Sequence, residues 1–362
     1  MLIADKDMLR RYFGVIPCAF LLVLASCHSS TLHFDDTEYI VSPMEVGVKN
    51  VQSVDLGIKG IIDMRIRGPY MVVATSDVSG FIKVFDAESR TILGSFFAQG
   101  NGPGELIVPI TASSMFFTKE GDKWFASFNS NKGTFIRFDI EESINEQRTV
   151  FQEYGSIPSG PCQALDLGND TFFYKVMSPD RNSQIRYLLR HDQRTTPSSF
   201  EVLNSATLTP PSKDDGSYFN ALSTIVNYDP EKDWLYEAST ELNTIHVYSE
   251  DGSMARTICF GDKLDNYDSV VKKDFNDRIQ TFVSMDLFPE FCLILYQGST
   301  FYEIDTGNAK EPTLLLLNLD EGTIVTIPFP CRATSFALDQ ERVLLYSVDR
   351  VNEEVISFEL SE

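Results

Sequence analysis

The sequence predicts an all-β fold, a six-bladed β-propeller of four-stranded antiparallel blades, and three observations carry that prediction. One phrase recurs six times: an apolar strand ending in small polar residues, a short turn, and a second strand with a β-branched and aromatic core. Residues 70–75 followed by 81–86 form the clearest copy, and the others begin near Trp124, Phe172, Trp234, Phe291 and Val343. A repeat at a regular period fixes architecture before any single residue is interpreted. Between the marker positions Tyr70, Lys123, Thr171, Trp234, Phe291 and Arg342 the spacings are 53, 48, 63, 57 and 51 residues. Their mean of about 54 exceeds the roughly 40–50 residues of a four-stranded blade, so loop insertions are expected. The composition also fits, with 43% of 362 residues hydrophobic, 12% aromatic and 27 Phe. That is too rich for disorder and suits stacked sheets with flat rings between the layers.

Each marker strand is the second of its blade. Candidate inner strands precede it at 62–67, 113–118, 222–227 and 281–286. Third strands follow at 81–86, 134–139, 185–192, 244–251, 314–320 and 355–360, and fourth strands at 91–97, 256–260 and 323–329. An aspartate often closes the third strand, because its side chain bonds the backbone two residues on and starts a tight turn. The last unit stops at its third strand, with Leu360 two residues from the end of the sequence. An open outer edge invites aggregation. The segment 39–57, with strand-like alternation in 51–56, is therefore expected to supply the missing strand and close the ring, giving one propeller domain over residues 38–362. Two stretches break the pattern: the polar loop 209–220, and 267–279, where Val271, Phe275 and Ile279 recur at helical spacing. The second predicts a short amphipathic helix crossing the ring. Insertions of this kind often rim a ligand site.

The start of the chain reads differently. Arg10 and Arg11 form a basic region, and residues 12–23 are an apolar run too short to span a bilayer comfortably. Leu24, Ala25, Ser26 and Cys27 follow. This ending resembles the lipobox of bacterial lipoproteins, which implies a signal peptide over residues 1–26, cleavage before Cys27, and a diacylglyceryl thioether on Cys27. Several acyl chains at one site anchor a protein stably, whereas a single chain exchanges. Translation from Met8 would retain everything a signal peptide needs. Residues 27–37 read as a lipidated tether, and no later segment is long and apolar enough for a transmembrane helix. The expected location is the cell envelope, at the outer membrane by resemblance, with the periplasmic and outward-facing orientations both open.

The formal charge is −22, and about −23 once residues 1–26 are removed. A nucleic-acid backbone would be repelled; a solvated acidic surface, or binding of cations or basic partners, fits. Cys18 leaves with the signal peptide, and Cys162, Cys259, Cys292 and Cys331 remain in the mature body. Cys259 and Cys292 lie inside apolar runs and read as small buried hydrophobes, while the pairing of the four stays open.

A recognisable phrase stands at residues 97–106, Phe-Ala-Gln-Gly-Asn-Gly-Pro-Gly-Glu-Leu. A first blade ending this way resembles the six-bladed propeller lipoproteins of Bacteroidetes, of TolB-like or NHL-like type. The likeness runs over 54–106 and again over 228–262, and it implies a platform without naming a substrate. A partner among outer-membrane nutrient-uptake or cell-envelope machinery is what the resemblance implies. Read from the residues alone, Gly100, Gly102 and Gly104 around Pro103 leave backbone amides uncovered, which can hold an anion or simply turn the chain between blades.

Catalytic motifs are sparse. His28 and His33 lie in or beside the tether, His191 ends a strand, and His246 alternates within a strand. No nucleophile elbow, zinc-protease helix, phosphate-binding loop or calcium-binding hand is present. Ser249, Asp251 and Ser253 only approach a sialidase box, and no second copy occurs. Calcium-dependent lactonases and esterases of propeller shape use carboxylates and amides projecting from inner strands, since calcium takes six to eight oxygens. Asp63, Asp166, Asn227 and Asp286 are the residues that such a hydrolase would use. The other reading is a non-enzymatic binding or scaffolding module without cofactor, with Arg65, Arg67, Asn227 and Asp286 at the channel mouth and Arg65 and Arg67 suited to an anionic group.

Overall fold

The computed structural model describes residues 33–41, 43–130, 132–156, 161–168, 171–177, 183–190, 199–207, 220–251, 254–318, 323–349 and 352–361. The lipobox, Cys27, most of the 209–220 loop and His191 lie outside the described residues.

Six antiparallel sheets follow one another around a ring, as the repeat predicts. Blade 1 comprises Ile61–Arg67, Tyr70–Thr75, Ile82–Asp86 and Ile92–Phe96. Blade 2 comprises Phe116–Glu120, Lys123–Asn129, Thr134–Asp139 and Phe151–Ser156. Blade 3 is Pro161–Gly168, Thr171–Met177, Ser183–Arg190 and Ser199–Thr207. Blade 4 is Thr224–Asp229, Trp234–Ser239, Thr244–Ser249 and Ala255–Phe260. Blade 5 is Ile279–Leu287, Phe291–Thr300, Thr313–Asn318 and Ile324–Pro328. The C-terminal strands Ser335–Asp339, Leu344–Asp349 and Glu354–Leu360 make three quarters of blade 6.

The fourth strand of blade 6 comes from the other end of the chain. Val48–Val54 pairs antiparallel with Glu354–Leu360, Val54 opposite Val355 and Val48 opposite Leu360. This closes the ring and removes the open edge that the truncated last repeat would leave. The same N-terminal segment does more than the sequence foretold. Before reaching blade 6, Thr37–Ile40 adds a parallel fifth strand to the rim of blade 4, and Met44–Glu45 does so on blade 5. Residues 37–54 thus form a belt around half the ring.

Apolar layers between neighbouring blades hold the ring together. Val72, Val84 and Phe96 of blade 1 pack with Phe128, Ile136 and Phe138 of blade 2. Leu293, Leu316 and Ile327 of blade 5 pack with Phe336, Leu345 and Phe358 of blade 6. Aromatic rings interlock in these layers, as with Phe97 edge-on to Phe138 at 5.1 Å. Such offset and edge-to-face pairs add about 0.5–1.5 kcal/mol each beyond their burial.

Turn chemistry follows the aspartates. After blade 1's third strand, Asp86 accepts from the Ser89 amide at 2.7 Å and from its hydroxyl at 2.8 Å. In blade 2 the expected tight turn is instead a helix, Ile140–Glu146, because Asp139 accepts from the Glu142 amide and acts as its N-cap. The 267–279 helix is likewise shorter than its periodicity suggested. It spans Tyr267–Val271, starts on an Asn266 cap, and buries Tyr267, Val270 and Val271 against Ala221, Leu222 and Leu242. Phe275 begins a separate 3-10 turn and stacks on Phe301 at 4.4 Å, while Ile279 opens an inner strand. The i, i+4, i+8 coincidence spans three different elements.

Candidate functional site

The inner strand of blade 1 reads Ile-Ile-Asp-Met-Arg-Ile-Arg. Period-two alternation places Asp63, Arg65 and Arg67 on one face and Met64 and Ile66 on the other. Met64 and Ile66 enter the apolar layer shared with blade 6, so the charged face turns toward the ring axis.

Arg65 is only 2% exposed and reaches across the axis. Its Nη1 donates to Met64 O at 2.8 Å, to Asp63 Oδ1 at 3.3 Å and to Phe336 O of blade 6 at 2.8 Å. Its Nη2 donates to Ser284 Oγ at 2.9 Å and to Met285 O at 3.1 Å, both on blade 5. Nε stands 3.6 Å from Asp286 Oδ2, and the guanidinium lies 5.3 Å from the centroid of the Phe336 ring. Arg67 holds the same aspartate with its own guanidinium. Its Nη1 donates to Asp286 Oδ2 at 3.0 Å and its Nη2 to Asp286 Oδ1, a two-pronged pair. The Arg67 guanidinium also lies between the Phe117 and Phe288 rings, at 5.4 and 5.2 Å. Asn227 of blade 4 donates Nδ2 to Met285 O at 3.1 Å.

Asp63, Arg65, Arg67, Asn227 and Asp286 therefore form one network, and two guanidinium groups face two carboxylates. Asp166 is engaged between blades 2 and 3, accepting from Ser127 Oγ at 3.1 Å and from the Gly168 amide at 2.9 Å. This donor set fits calcium poorly, because Asp63 and Asp286 already have cationic groups against them. Among the described residues, no three His, Cys, Asp or Glu side chains are grouped as a metal site.

The glycine-rich connection after blade 1 does hold an anion, and the anion is its own. The Gly102 amide donates to Glu105 Oε2 at 2.6 Å. The carboxylate lies so close to Gly100 that a Cβ there would meet Glu105 Oε2 at 2.0 Å. Lys132 donates to Gly102 O at 2.7 Å from the next blade. Gly104 takes the left-handed conformation, φ +69°, and turns the chain against the Phe151 ring.

A second charged cluster was not singled out from the sequence. Glu237 is fully buried on blade 4 and accepts from Lys175 at 2.5 Å and from Arg186 Nε at 2.6 Å, both on blade 3. Thr224 and the Tyr248 hydroxyl also donate to it, at 3.0 and 3.1 Å. Burial pulls the Glu237 carboxyl upward, but the Arg186 and Lys175 charges reverse this and hold it well below the usual range. His246 lies beside the cluster, with Nδ1 3.2 Å from Thr257 Oγ1 and the Phe34 ring edge-on at 5.4 Å. Burial lowers its pKa to about 3, against the opposing pull of Glu237. The available signal was a lone charge inside an apolar strand: Lys175 in Phe-Phe-Tyr-Lys-Val-Met, and Glu237 in Trp-Leu-Tyr-Glu-Ala-Ser.

Cys259, Cys292 and Cys331 are free and buried, and burial raises each thiol's pKa. Such thiols are poor nucleophiles. Of Cys162 only the backbone is described.

Solved structures share this architecture, and two illustrate the likeness. One is a protein of Bacteroides fragilis described as exported, with TM-score 0.50 and 12% identity over 90% of this chain and 99% of that one. The other is a member of the DUF4221 family from Bacteroides vulgatus, with TM-score 0.54 and 12% identity over 88% of this chain and 99% of that one. At this identity the likeness establishes the propeller fold. No protein-family model and no curated protein matches the sequence.

Proposed function

We propose that this chain is a lipid-anchored propeller of the bacterial cell envelope that works by binding or scaffolding rather than by catalysis. The observation that carries the reading is the Arg65 crossing. A guanidinium tied to blades 1, 5 and 6 fills the axis where a channel hydrolase would place its metal and substrate. The polar groups there are committed to one another, which leaves the loop-bearing ends of the ring for a partner. The Leu24–Cys27 sequence supplies the anchor, and the likeness to an exported Bacteroides propeller supports an envelope setting.

The calcium-dependent hydrolase makes the opposite prediction and separates cleanly. Purified protein should contain no stoichiometric calcium, and neither calcium nor a chelator should shift its melting temperature. A calcium-dependent rise of several degrees would overturn the binding reading, since a ligand held only by the folded state stabilises it by mass action. Native pull-down from the membrane fraction tests the positive side. Reproducible recovery of one envelope protein supports the reading, and repeated recovery of the chain alone counts against it.

A further inference from the structure

The belt that closes the ring also determines which way the ring stands. The described fold begins at His33, six residues after Cys27. Six residues reach at most about 20 Å when fully extended. They lead directly onto the rim of blade 4, where the Phe34 amide donates to Thr257 Oγ1 at 2.8 Å and Thr37–Ile40 pairs with the outer strand. A lipid on Cys27 therefore holds this rim, and no other, close to the bilayer.

The same rim carries an apolar strip. Tyr39 is 45% exposed, Val41 61% and Met44 39%, and these three side chains span the step from blade 4 to blade 5. Isolated exposed apolar residues need no explanation, but three within six residues, beside the anchored end, form a patch. Tyrosine with aliphatic neighbours is the composition favoured at a membrane–water boundary. Asp35, Asp36 and Glu45 flank the strip and are exposed, which matches a zwitterionic lipid surface better than an anionic one.

We propose that the bilayer is the occupant of this strip, so that the propeller stands on edge with blades 4 and 5 against the lipid. In a ring of six, blade 1 lies opposite blade 4. Its exposed Val78, together with Ile107 and Val108 on the connection to blade 2, then points away from the membrane. Gln99 fixes that distal patch, donating its amide to Val78 O at 2.8 Å and its side chain to Ile107 O at 3.2 Å. This orientation rests on the anchored reading of Cys27.

The experiment reconstitutes the full lipidated chain into phosphatidylcholine vesicles, with Val41→Cys or Val78→Cys carrying a polarity-sensitive dye. The three described native cysteines are buried, and the unsubstituted chain carried through the same labelling is the blank. Spin-labelled lipid should quench the dye at position 41 at least threefold more than at position 78. Adding Tyr39→Ser and Met44→Ser should reduce the quenching at 41 by half or more. Equal quenching at both positions, or stronger quenching at 78, overturns the orientation. Shielding of position 41 without vesicles, with a doubled mass in solution, overturns it in favour of a second copy on the strip. The mass of the N-terminal peptide reports separately whether Cys27 is acylated. If it is not, the anchored reading fails. The orientation is then read on the chain tethered through a histidine tag ahead of Cys27 to chelating lipid, with the same outcomes deciding.

Discussion

Replacing Arg65 by methionine tests whether the axis is a structural plug. Methionine keeps much of the side-chain length while deleting a cation whose donors reach Asp63, Ser284 and three backbone carbonyls on blades 1, 5 and 6. Asp63 is 2% exposed and loses the guanidinium beside it, and Asp286 is left with Arg67. Removing one partner of a buried ion pair costs about 3–5 kcal/mol, because the remaining charge stays desolvated. Against a typical total of about 5–15 kcal/mol, that is a large share. Arg67→Met is the internal comparison. Its side chain is 16% exposed and Asp286 keeps Arg65 nearby, so about 1.5–3 kcal/mol is expected, the range for hydrogen bonds to a charged group. Asp63→Asn combined with Arg65→Met should regain part of the loss by removing the charge that Arg65 offset. Urea unfolding followed by the fluorescence of Trp124 and Trp234, alongside far-ultraviolet dichroism, gives the three values. If Arg65→Met unfolds within 0.5 kcal/mol of the parent, the plug argument is wrong. If it also loses a partner captured by the parent, Arg65 belongs to a binding site.

Acidification should weaken the seam between blades 3 and 4 through His246. Its folded pKa of about 3 lies below the ordinary 6.5, so the unfolded chain takes the proton first. The stabilisation is complete above pH 6.5 and is lost as pH falls from there toward 3. Between pH 7.5 and 5.5 the loss from this group is about 1.4 kcal/mol; His246→Gln should lack that increment, and an unchanged pH dependence refutes the assignment. Glu237, held below its usual range, adds a second loss only at pH values below the ordinary carboxylate range. Gly100→Ala should expel Glu105 from its seat, because the new Cβ would meet Oε2 at 2.0 Å. Losing the charge-assisted bond to the Gly102 amide costs about 1.5–3 kcal/mol, and an equal loss from Gly100→Ala when Glu105 is already alanine would show that the Glu105 side chain was not the obstacle.

The propeller was legible because its signals are local and repeated. Strand alternation, Asp-led turns and a period near 54 residues survive even where loops lengthen the blades. The missing strand was legible too, since a final copy ending at Leu360 demands a partner and the alternation at 51–56 offers one. The parallel additions at 37–40 and 44–45 were not, because a two- to four-residue strand leaves no periodicity to read. The short helix read over 267–279 is present but ends at Val271, for the converse reason: Val271, Phe275 and Ile279 share a spacing by chance, and Ile279 belongs to a strand.

The charged residues show where sequence reading stops. The sequence offers Arg65, Arg67, Asn227 and Asp286 as ligand-binding groups at the channel mouth, and the structure joins them in one network. Their types suggested a ligand, whereas their geometry shows mutual satisfaction: each carboxylate of the network has a guanidinium, and Asn227 is spent on a carbonyl. Which partner an arginine finds depends on blades more than 200 residues apart, as with Arg65 and Ser284. The same holds for the glycine loop, whose exposed amides invite an anion until Glu105, three residues beyond Gly102, is seen to fill the place. A binding function for this ring must therefore be sought on surfaces the fold leaves unspent. On this geometry these are the loops around Val78 and Ile107 beside blade 1, and the exposed side chains of the belt over blades 4 and 5.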